Sequence, residues 1–199
     1  MRRITRLAAA LVLAAGLSEA QEKKLPRWEQ MDYGPFVSSS LTMPWSKDFQ
    51  HVDGVTVKSV AVRLDAQHAV CFDTNLCRVA AGWNGAVKLY GTPFDGTHRP
   101  PEKSRPLLQG KLRFKTLPGP TWARDGDLKD PRSEPYIPLP REWAEYRGLY
   151  VHGDRVVFSY TVGSCPVLEL HDVAGDSFGR TWKIGPSAAP LTLVLTAGQ

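Results

Sequence analysis

The chain has 199 residues, with 25 Lys and Arg against 20 Asp and Glu, so its formal net charge is +5. This length fits one domain with a substantial core and is short for two. The basic residues are dispersed among acidic ones and form no run and no nucleic-acid motif, which argues against a nucleic-acid partner.

Residues 1–20 have the three parts of a secretory signal. Three arginines in the first six residues form a positive segment, an apolar run (LAAALVLAAGL) follows, and Ser18-Glu19-Ala20 favours cleavage before Gln21. The apolar run is too short to span a bilayer, which needs roughly 20 residues. Removal of three Arg and one Glu leaves 22 basic and 19 acidic residues, a net charge of +3. We therefore expect a periplasmic or extracellular protein with no transmembrane segment after cleavage.

The first half of the mature chain combines a lead-in with strand patterns. Residues 21–54 are predicted to be an extended lead-in, and the β domain is predicted to cover residues 55–199. Alternating β-branched residues predict a strand over residues 55–64. A hairpin is predicted near residues 69–81, and Asn84-Gly85 is a strong signal for a tight turn.

A Pro-rich excursion is predicted from about residue 93 to residue 143. It contains ten of the sixteen prolines, which remove backbone donors and disfavour helix. One short strand, over residues 111–115, is predicted inside it. Loops of this length are functional or poorly ordered.

Regular alternation returns in the last quarter of the chain. Residues 148–162 predict a hairpin that turns at Gly153-Asp154, and further strands are predicted at residues 167–171, 181–184 and 191–196. No segment of the mature chain has a convincing helical period. The pattern predicts an all-β, β-sandwich-like single domain, with part of a β-propeller as the alternative.

The three cysteines allow two interpretations. Cys71 and Cys77 flank a predicted turn, so they either form a disulfide across a hairpin or are buried apolar thiols, with Cys165 left over. No pair has metal-site spacing and no Cys-x-x-Cys-His motif is present. We expect no metal and no cofactor, including haem, in this chain.

Catalytic spacing is also missing from the sequence. None of the five histidines pairs with another at zinc-site spacing, and no nucleophile elbow or phosphate-binding loop occurs. Most of the tryptophans lie in turns or Pro-rich segments, where they either stack on a sugar or a partner, or close the ends of the core. The residues considered for ligand binding are Tyr33, Asp73, Trp83, Asp95, His98, His152 and Asp154.

Several segments together resemble a known but uncharacterised domain. They are residues 31–36 (MDYGPF), 60–64 (VAVRL), 69–74 (AVCFDT), 76–83 (LCRVAAGW), 94–98 (FDGTH), 148–163 (GLYVHGDRVVFSYTVG) and 167–169 (VLE). The chain resembles the N-terminal domain of large secreted bacterial proteins, many of them c-type cytochromes with sugar-dehydrogenase-like regions. The resemblance implies export and a multidomain setting, with haem only in a longer or partner protein. Because relatives continue past this point, it also implies a fragment or a shortened member.

Three functions follow from these observations. The first is an exported, non-catalytic module that binds a ligand, with carbohydrate as a candidate, or packs within a larger extracytoplasmic redox or carbohydrate-active protein. The second is a carbohydrate-active enzyme with a site under the Pro-rich loop, built from Asp73, Asp95, His98 and His152. The third is a structural domain that covers the edge of a downstream neighbour, which an unpaired apolar strand at residues 191–195 would indicate.

Overall fold

The computed structural model describes residues 30, 32–42, 54–89, 106–116, 118–134 and 137–195. These residues contain no α-helix and form two antiparallel sheets, which confirms the predicted all-β, sandwich-like domain. The strands are β1 (Phe36–Thr42), β2 (Gly54–Arg63), β3 (His68–Asp73), β4 (Arg78–Lys88), β5 (Leu107–Lys115), β6 (Ala144–His152), β7 (Arg155–Val162), β8 (Cys165–Ala174) and β9 (Ser177–Ile184).

The first sheet, called here the curled sheet, contains β1 to β5 in sequence order. Each strand pairs antiparallel with the next, for example with Val60 of β2 opposite Phe72 of β3. The sheet curls until its two edge strands meet through one parallel pair, Thr42 with Leu107. Curling gives the sheet an inner face as well as the outer face that packs on the second sheet.

The second sheet, called here the open sheet, is the meander β6-β7-β8-β9. Its three connections are two-residue turns, and each begins with a glycine whose φ lies between +56° and +59°. These left-handed glycines favour tight hairpin turns that match the twist of the flanking strands. The turn predicted at Gly153-Asp154 is therefore confirmed.

Two cores explain why the curled sheet is buried on both faces. All six residues of β3 are buried. Val70 and Phe72 face the open sheet, where the Phe72 ring stacks on Phe158 with centroids 4.1 Å apart. Ala69 and Cys71 point the other way, into the core enclosed by the curled sheet. Because side chains alternate between the two faces of a strand, β3 contributes to two cores, an inter-sheet core and an inner core.

The described part of the Pro-rich excursion completes the inter-sheet core. It contains β5, which is longer than predicted, and it contributes Trp122, Leu139 and Trp143 to that core. The Trp143 indole N–H donates to the Trp122 carbonyl at 2.8 Å, and the Leu139 N–H donates to the Asn75 carbonyl at 2.9 Å. Burial of these large side chains anchors the segment although it lacks regular structure.

Both ends of the predicted β domain require correction. The segment assigned to the lead-in contains β1, whose Phe36 pairs with Val62 of β2. The strand predicted over residues 191–196 is reduced to one bridge, between Leu193 and Trp122. Backbone hydrogen bonds join residues 192 and 194 to residues 123 and 121, each at 2.9 Å. This apolar segment is therefore paired, and the sign expected of a purely structural domain is not observed.

The predicted cysteine pair is not formed, since all three cysteines are free thiols. Cys71 lies opposite Ala81 in the β3–β4 ladder and faces the inner core, whereas Cys77 ends the turn over residues 74–77 and faces the inter-sheet core. The structure therefore agrees with the second interpretation, in which the cysteines are buried apolar thiols. Burial raises the pKa of Cys71 to about 12 and also raises the pKa of Cys77.

The turn predicted at Asn84-Gly85 is wrong, because β4 continues through both residues. Gly85 (φ +141°) lies directly opposite Gly110 (φ +132°) of β5. A Cβ on Gly85 would overlap the carbonyl oxygen of Gln109, and a Cβ on Gly110 would overlap that of Asn84. Gly85 therefore allows the two strand backbones to approach closely and does not form a turn.

We expect Gly85→Ala and Gly110→Ala each to lower the free energy of unfolding by at least about 3 kcal/mol, because backbone overlap cannot be relieved by a rotamer change. Gly148→Ala is the matched control, since Gly148 has a φ of +139° but no atom within 4 Å of its would-be Cβ. That variant should lose only about 1–2 kcal/mol, the cost of the φ alone. Urea unfolding would measure all three, and equal losses would contradict the close-approach explanation.

Candidate functional site

The inner face of the open sheet surrounds one completely buried carboxylate, Glu169 of β8. The Tyr160 hydroxyl donates to Oε2 at 2.7 Å, and the His171 Nε2–H and the Arg180 Nε–H each donate to Oε1 at 2.7 Å. Behind Tyr160, the Trp122 indole N–H donates to the tyrosine oxygen at 3.3 Å. We call these five side chains the Glu169 network. It joins three strands and the Pro-rich segment.

The Glu169 network holds its carboxylate ionised. Burial alone would raise the pKa of Glu169, but the hydrogen bonds and charges of His171 and Arg180 outweigh burial and lower the pKa to about 2. Burial and the neighbouring carboxylate raise the pKa of Tyr160, so its hydroxyl keeps the proton that it donates. Neither group is set to exchange a proton near neutral pH.

His171 and Arg180 lie next to each other because β8 and β9 pair in register. Arg180 is directly opposite His171, and Trp182 is directly opposite Glu169. The Arg180 guanidinium also lies over the Trp182 ring, with 4.6 Å between its carbon and the ring centroid. Since a carboxylate only accepts, His171 must carry a proton on Nε2, and its Nδ1 is then the second ring position available for a hydrogen bond.

A cavity of about 530 Å³ lies beside this network, between the two sheets, and we call it the inter-sheet cavity. Its walls combine aromatic and aliphatic side chains with a few polar ones. The lining residues are Val70, Val79, Arg113, Phe114, Thr116, Thr121, His171, Asp176, Phe178, Gly179, Arg180, Trp182, Val194 and Leu195. This size and this mixture are typical of small-ligand sites, which measure roughly 300–1,000 Å³.

Four buried polar atoms of the lining residues have no hydrogen-bond partner among the residues that the structure describes. They are Thr121 Oγ1, His171 Nδ1, Arg180 Nη2 and Trp182 Nε1. Buried polar atoms in folded proteins are nearly always paired with protein, water or ligand. A second cavity, of about 620 Å³ near residues 138–149, has no such atom in its lining. The inter-sheet cavity is therefore the candidate binding site.

Asp176, at the tip of the β8–β9 hairpin, contacts the curled sheet at one edge of this cavity. Its carboxylate is 3.5 Å from Arg113 Nη2 and 3.7 Å from His68 Nε2, and it accepts from the Asn84 amide at 3.5 Å. His68 Nδ1 in turn lies 2.9 Å from both oxygens of Asp65. These contacts connect β3, β4 and β5 to the open sheet at one edge of the site.

Two of the sequence-predicted site residues belong to the scaffold instead. Trp83 is completely buried in the inner core, and its indole N–H donates to the Ala86 carbonyl at 2.9 Å. Asp73 accepts the N–H groups of Asn75 and Leu76 and pairs with Arg78 at 3.4 Å. Burial raises the pKa of Asp73, with Arg78 opposing that shift. Both side chains are thus buried and hydrogen-bonded within the fold.

Three of the other predicted site residues lie within the described part of the chain. Tyr33 is half-buried against the inner core, while His152 and Asp154 are exposed at the β6–β7 turn. Asp95 and His98 lie outside the described residues. Of the four residues predicted to form an enzyme site, the structure describes two: Asp73, buried in a turn, and His152, exposed at the β6–β7 turn.

The residues that build the candidate site were missed from the sequence, although one signal was present. Glu169 and His171 alternate with exposed or half-exposed positions on β8, on the same face as Cys165 and Val167. A charged residue on an apolar strand face is uncommon and indicates a buried partner. The identity of that partner, Arg180, depends on the β8–β9 register.

Within the described part of the chain, no group of three or more His, Cys, Asp or Glu side chains could hold a metal ion. Across those same ranges, no helix has the length and apolar character needed to cross a membrane.

The fold and the site define the class: an all-β, sandwich-like domain with a buried carboxylate network beside a cavity of ligand size. A family model described as a domain of unknown function (DUF6797) matches residues 70–169, which is 100 of the 199 residues. The chain belongs to this family. Comparison with curated proteins and with solved structures finds no match. The family match assigns no activity. It ends at Glu169, so the residues that β9 contributes to the site lie beyond it.

We expect Glu169→Gln to lower the free energy of unfolding at pH 7 by about 3 kcal/mol, the value that corresponds to a pKa lowered from 4.5 to about 2. Because the folded-state pKa is depressed, this stability is present above pH 4.5 and is lost as the pH falls toward 2. The difference between wild type and variant should therefore shrink in acid.

Urea unfolding of both proteins at pH 7, 5 and 3 would measure this difference. Glu142→Gln is the control, since the Glu142 side chain is exposed and pairs with Arg124 at 3.5 Å. It should change stability by less than about 1 kcal/mol. A gap between wild type and Glu169→Gln that is as large at pH 3 as at pH 7 would show that Glu169 is not ionised in the folded protein.

Proposed function

We propose that this protein is an exported, non-catalytic binding module of a larger extracytoplasmic redox or carbohydrate-active protein. Its function is to bind a small polar ligand in the inter-sheet cavity. The single observation that carries the proposal is that four residues lining one cavity each have a buried polar atom without a described partner. A ligand that hydrogen-bonds to them would satisfy groups that are costly to leave unpaired.

A carbohydrate is the ligand class that best suits this lining. The aromatic rings of Phe114, Phe178 and Trp182 offer apolar surfaces to the face of a sugar ring. Thr121 and Arg180 are placed with them and supply hydrogen-bonding groups for hydroxyl oxygens. The apolar and polar groups share one wall of the cavity, as a ring with a polar rim requires.

A binding function is favoured over catalysis by the state of the Glu169 network. General acid–base catalysis works best when a group titrates near the working pH. The pKa of Glu169 is lowered to about 2 and that of Tyr160 is raised, so both are far from that range. Both oxygens of Glu169 already accept hydrogen bonds within the network.

The Glu169–His171 pair supports one alternative, an enzyme acting on carbohydrate. A carboxylate that accepts from one ring nitrogen orients an imidazole so that the other nitrogen can act as a base. His171 Nδ1 has that position beside the cavity. Product formation by the wild type, abolished by His171→Gln, would favour this alternative over a binding module.

Export is supported by the charged, apolar and small-residue segments of residues 1–20. We expect the native protein to be recovered from the cell envelope without residues 1–20, and to begin at Gln21. Intact mass and the visible spectrum of that fraction test this, with the cytoplasmic fraction as the control. A much larger haem-containing species would show that the module heads a cytochrome, whereas a cytoplasmic protein that retains Met1 would contradict export.

We expect Thr121→Val and Trp182→Phe to weaken binding of a carbohydrate ligand about fivefold each, because each removes one hydrogen-bonding group and keeps most of the apolar contact. A glycan panel followed by titration calorimetry on the wild type would identify the ligand to be used. Thr181→Val is the matched control, since Thr181 is exposed on the opposite face of β9. Equal affinity for all four proteins would place the binding site elsewhere.

A further inference from the structure

We infer that the ligand of the inter-sheet cavity carries a carboxylate, and that Arg180 is its receptor. The inference rests on the proposed binding function and narrows the carbohydrate class to hexuronic acids, sugars whose C6 is a carboxylate. It is drawn from the chemistry of the groups that lack described partners, from the charges in the lining, and from the way in which Arg180 is held.

The first argument is the type of hydrogen bond that the site offers. Arg180 Nη2 and Trp182 Nε1 can only donate, and the Thr121 hydroxyl can donate as well. Three of the four atoms without described partners are therefore matched by a ligand rich in acceptors. A carboxylate presents two acceptor oxygens and no donor, whereas a neutral hydroxymethyl group also brings a proton that needs its own acceptor.

The second argument is electrostatic. The ionisable lining residues other than His171 are Arg113 and Arg180, which are cations, and Asp176, which pairs with Arg113 at 3.5 Å. Glu169 is not part of the lining, because it is completely buried behind it. Its oxygens accept from Tyr160, His171 and Arg180, so the donors His171 and Arg180, and not the carboxylate, line the cavity.

The third argument is that Arg180 is already held in place. Its Nε is fixed by the 2.7 Å bond to Glu169, and its planar guanidinium stacks over Trp182. Arg180 lines the cavity and its Nη2 has no described partner, so the guanidinium could accept a ligand contact with little further loss of side-chain freedom. Guanidinium groups fixed in this way suit carboxylates, since the charged hydrogen bond is roughly twice as strong as a neutral one.

The experiment compares three sugars that differ only at C6: galacturonate, its methyl ester and galactose, together with the corresponding glucuronate series. Titration calorimetry on the wild-type chain should give an affinity for at least one acid that is tenfold or more above those of its ester and its neutral sugar. Raising the ionic strength should reduce that ratio.

Variants connect the preference to Arg180. Arg180→Lys should lower the affinity for the acid about tenfold and leave that for the ester within twofold, because the charge stays while the planar fork is lost. Circular dichroism would establish that the variant is folded. Arg113→Gln, which keeps the Glu169 network intact, serves as the second variant and should also reduce the preference for the acid.

The outcomes separate this inference from the proposed function. Equal binding of acid, ester and neutral sugar at the cavity would overturn the inference and leave the binding module standing. Binding of another glycan class alone, lost in Trp182→Phe, would have the same meaning. If the wild type binds no glycan, both the inference and the proposed function are overturned. If the preference for the acid is unchanged in both arginine variants, Arg180 is not the receptor of the carboxylate.

Discussion

The Glu169 carboxylate occupies a position where the alternation of β8 would ordinarily place an apolar side chain. An isolated charge at such depth is very unfavourable, so the protein around it must supply donors. Tyr160, His171 and Arg180 supply three, one from each of β7, β8 and β9. A slip of one residue in either pairing would turn a donor to the opposite face and leave the carboxylate unsatisfied. The network therefore specifies the register of the open sheet.

The same interaction prepares the candidate site. Glu169 uses one nitrogen of His171 and the Nε of Arg180, and in doing so fixes the orientation of both side chains. Both residues line the inter-sheet cavity, and their remaining atoms, Nδ1 and Nη2, are buried without a partner among the described residues. The carboxylate is thus structural, while the polar groups presented to a ligand are those that it orients. This division explains why a fully buried, strongly acidic glutamate can matter for binding without touching a ligand.

The sequence predicted the open sheet well and the site poorly, for one physical reason. Strand alternation and Gly-Asp turns are local, so the hairpin over residues 148–162 was predicted correctly. Asn84-Gly85 carries the same local signal, yet Gly85 lies in a continuous strand because of Gly110, which is 25 positions away in the chain. Likewise, Glu169 and Arg180 are joined by register rather than by spacing. Asp73 and Trp83 were suggestive in isolation, but the fold uses them in a turn and in the inner core.

The position of the family match divides the site in an informative way. Thr121, Tyr160 and Glu169 fall inside residues 70–169, whereas His171, Arg180 and Trp182 follow them. The matched segment thus contains the carboxylate and part of its support, and the later residues contribute most of the polar groups that line the cavity. The family match therefore covers the scaffold between the sheets and leaves out most of the polar residues proposed to contact a ligand. The proposed ligand would therefore depend mainly on β9, where one arginine of the cavity lining is held between Glu169 and a tryptophan ring.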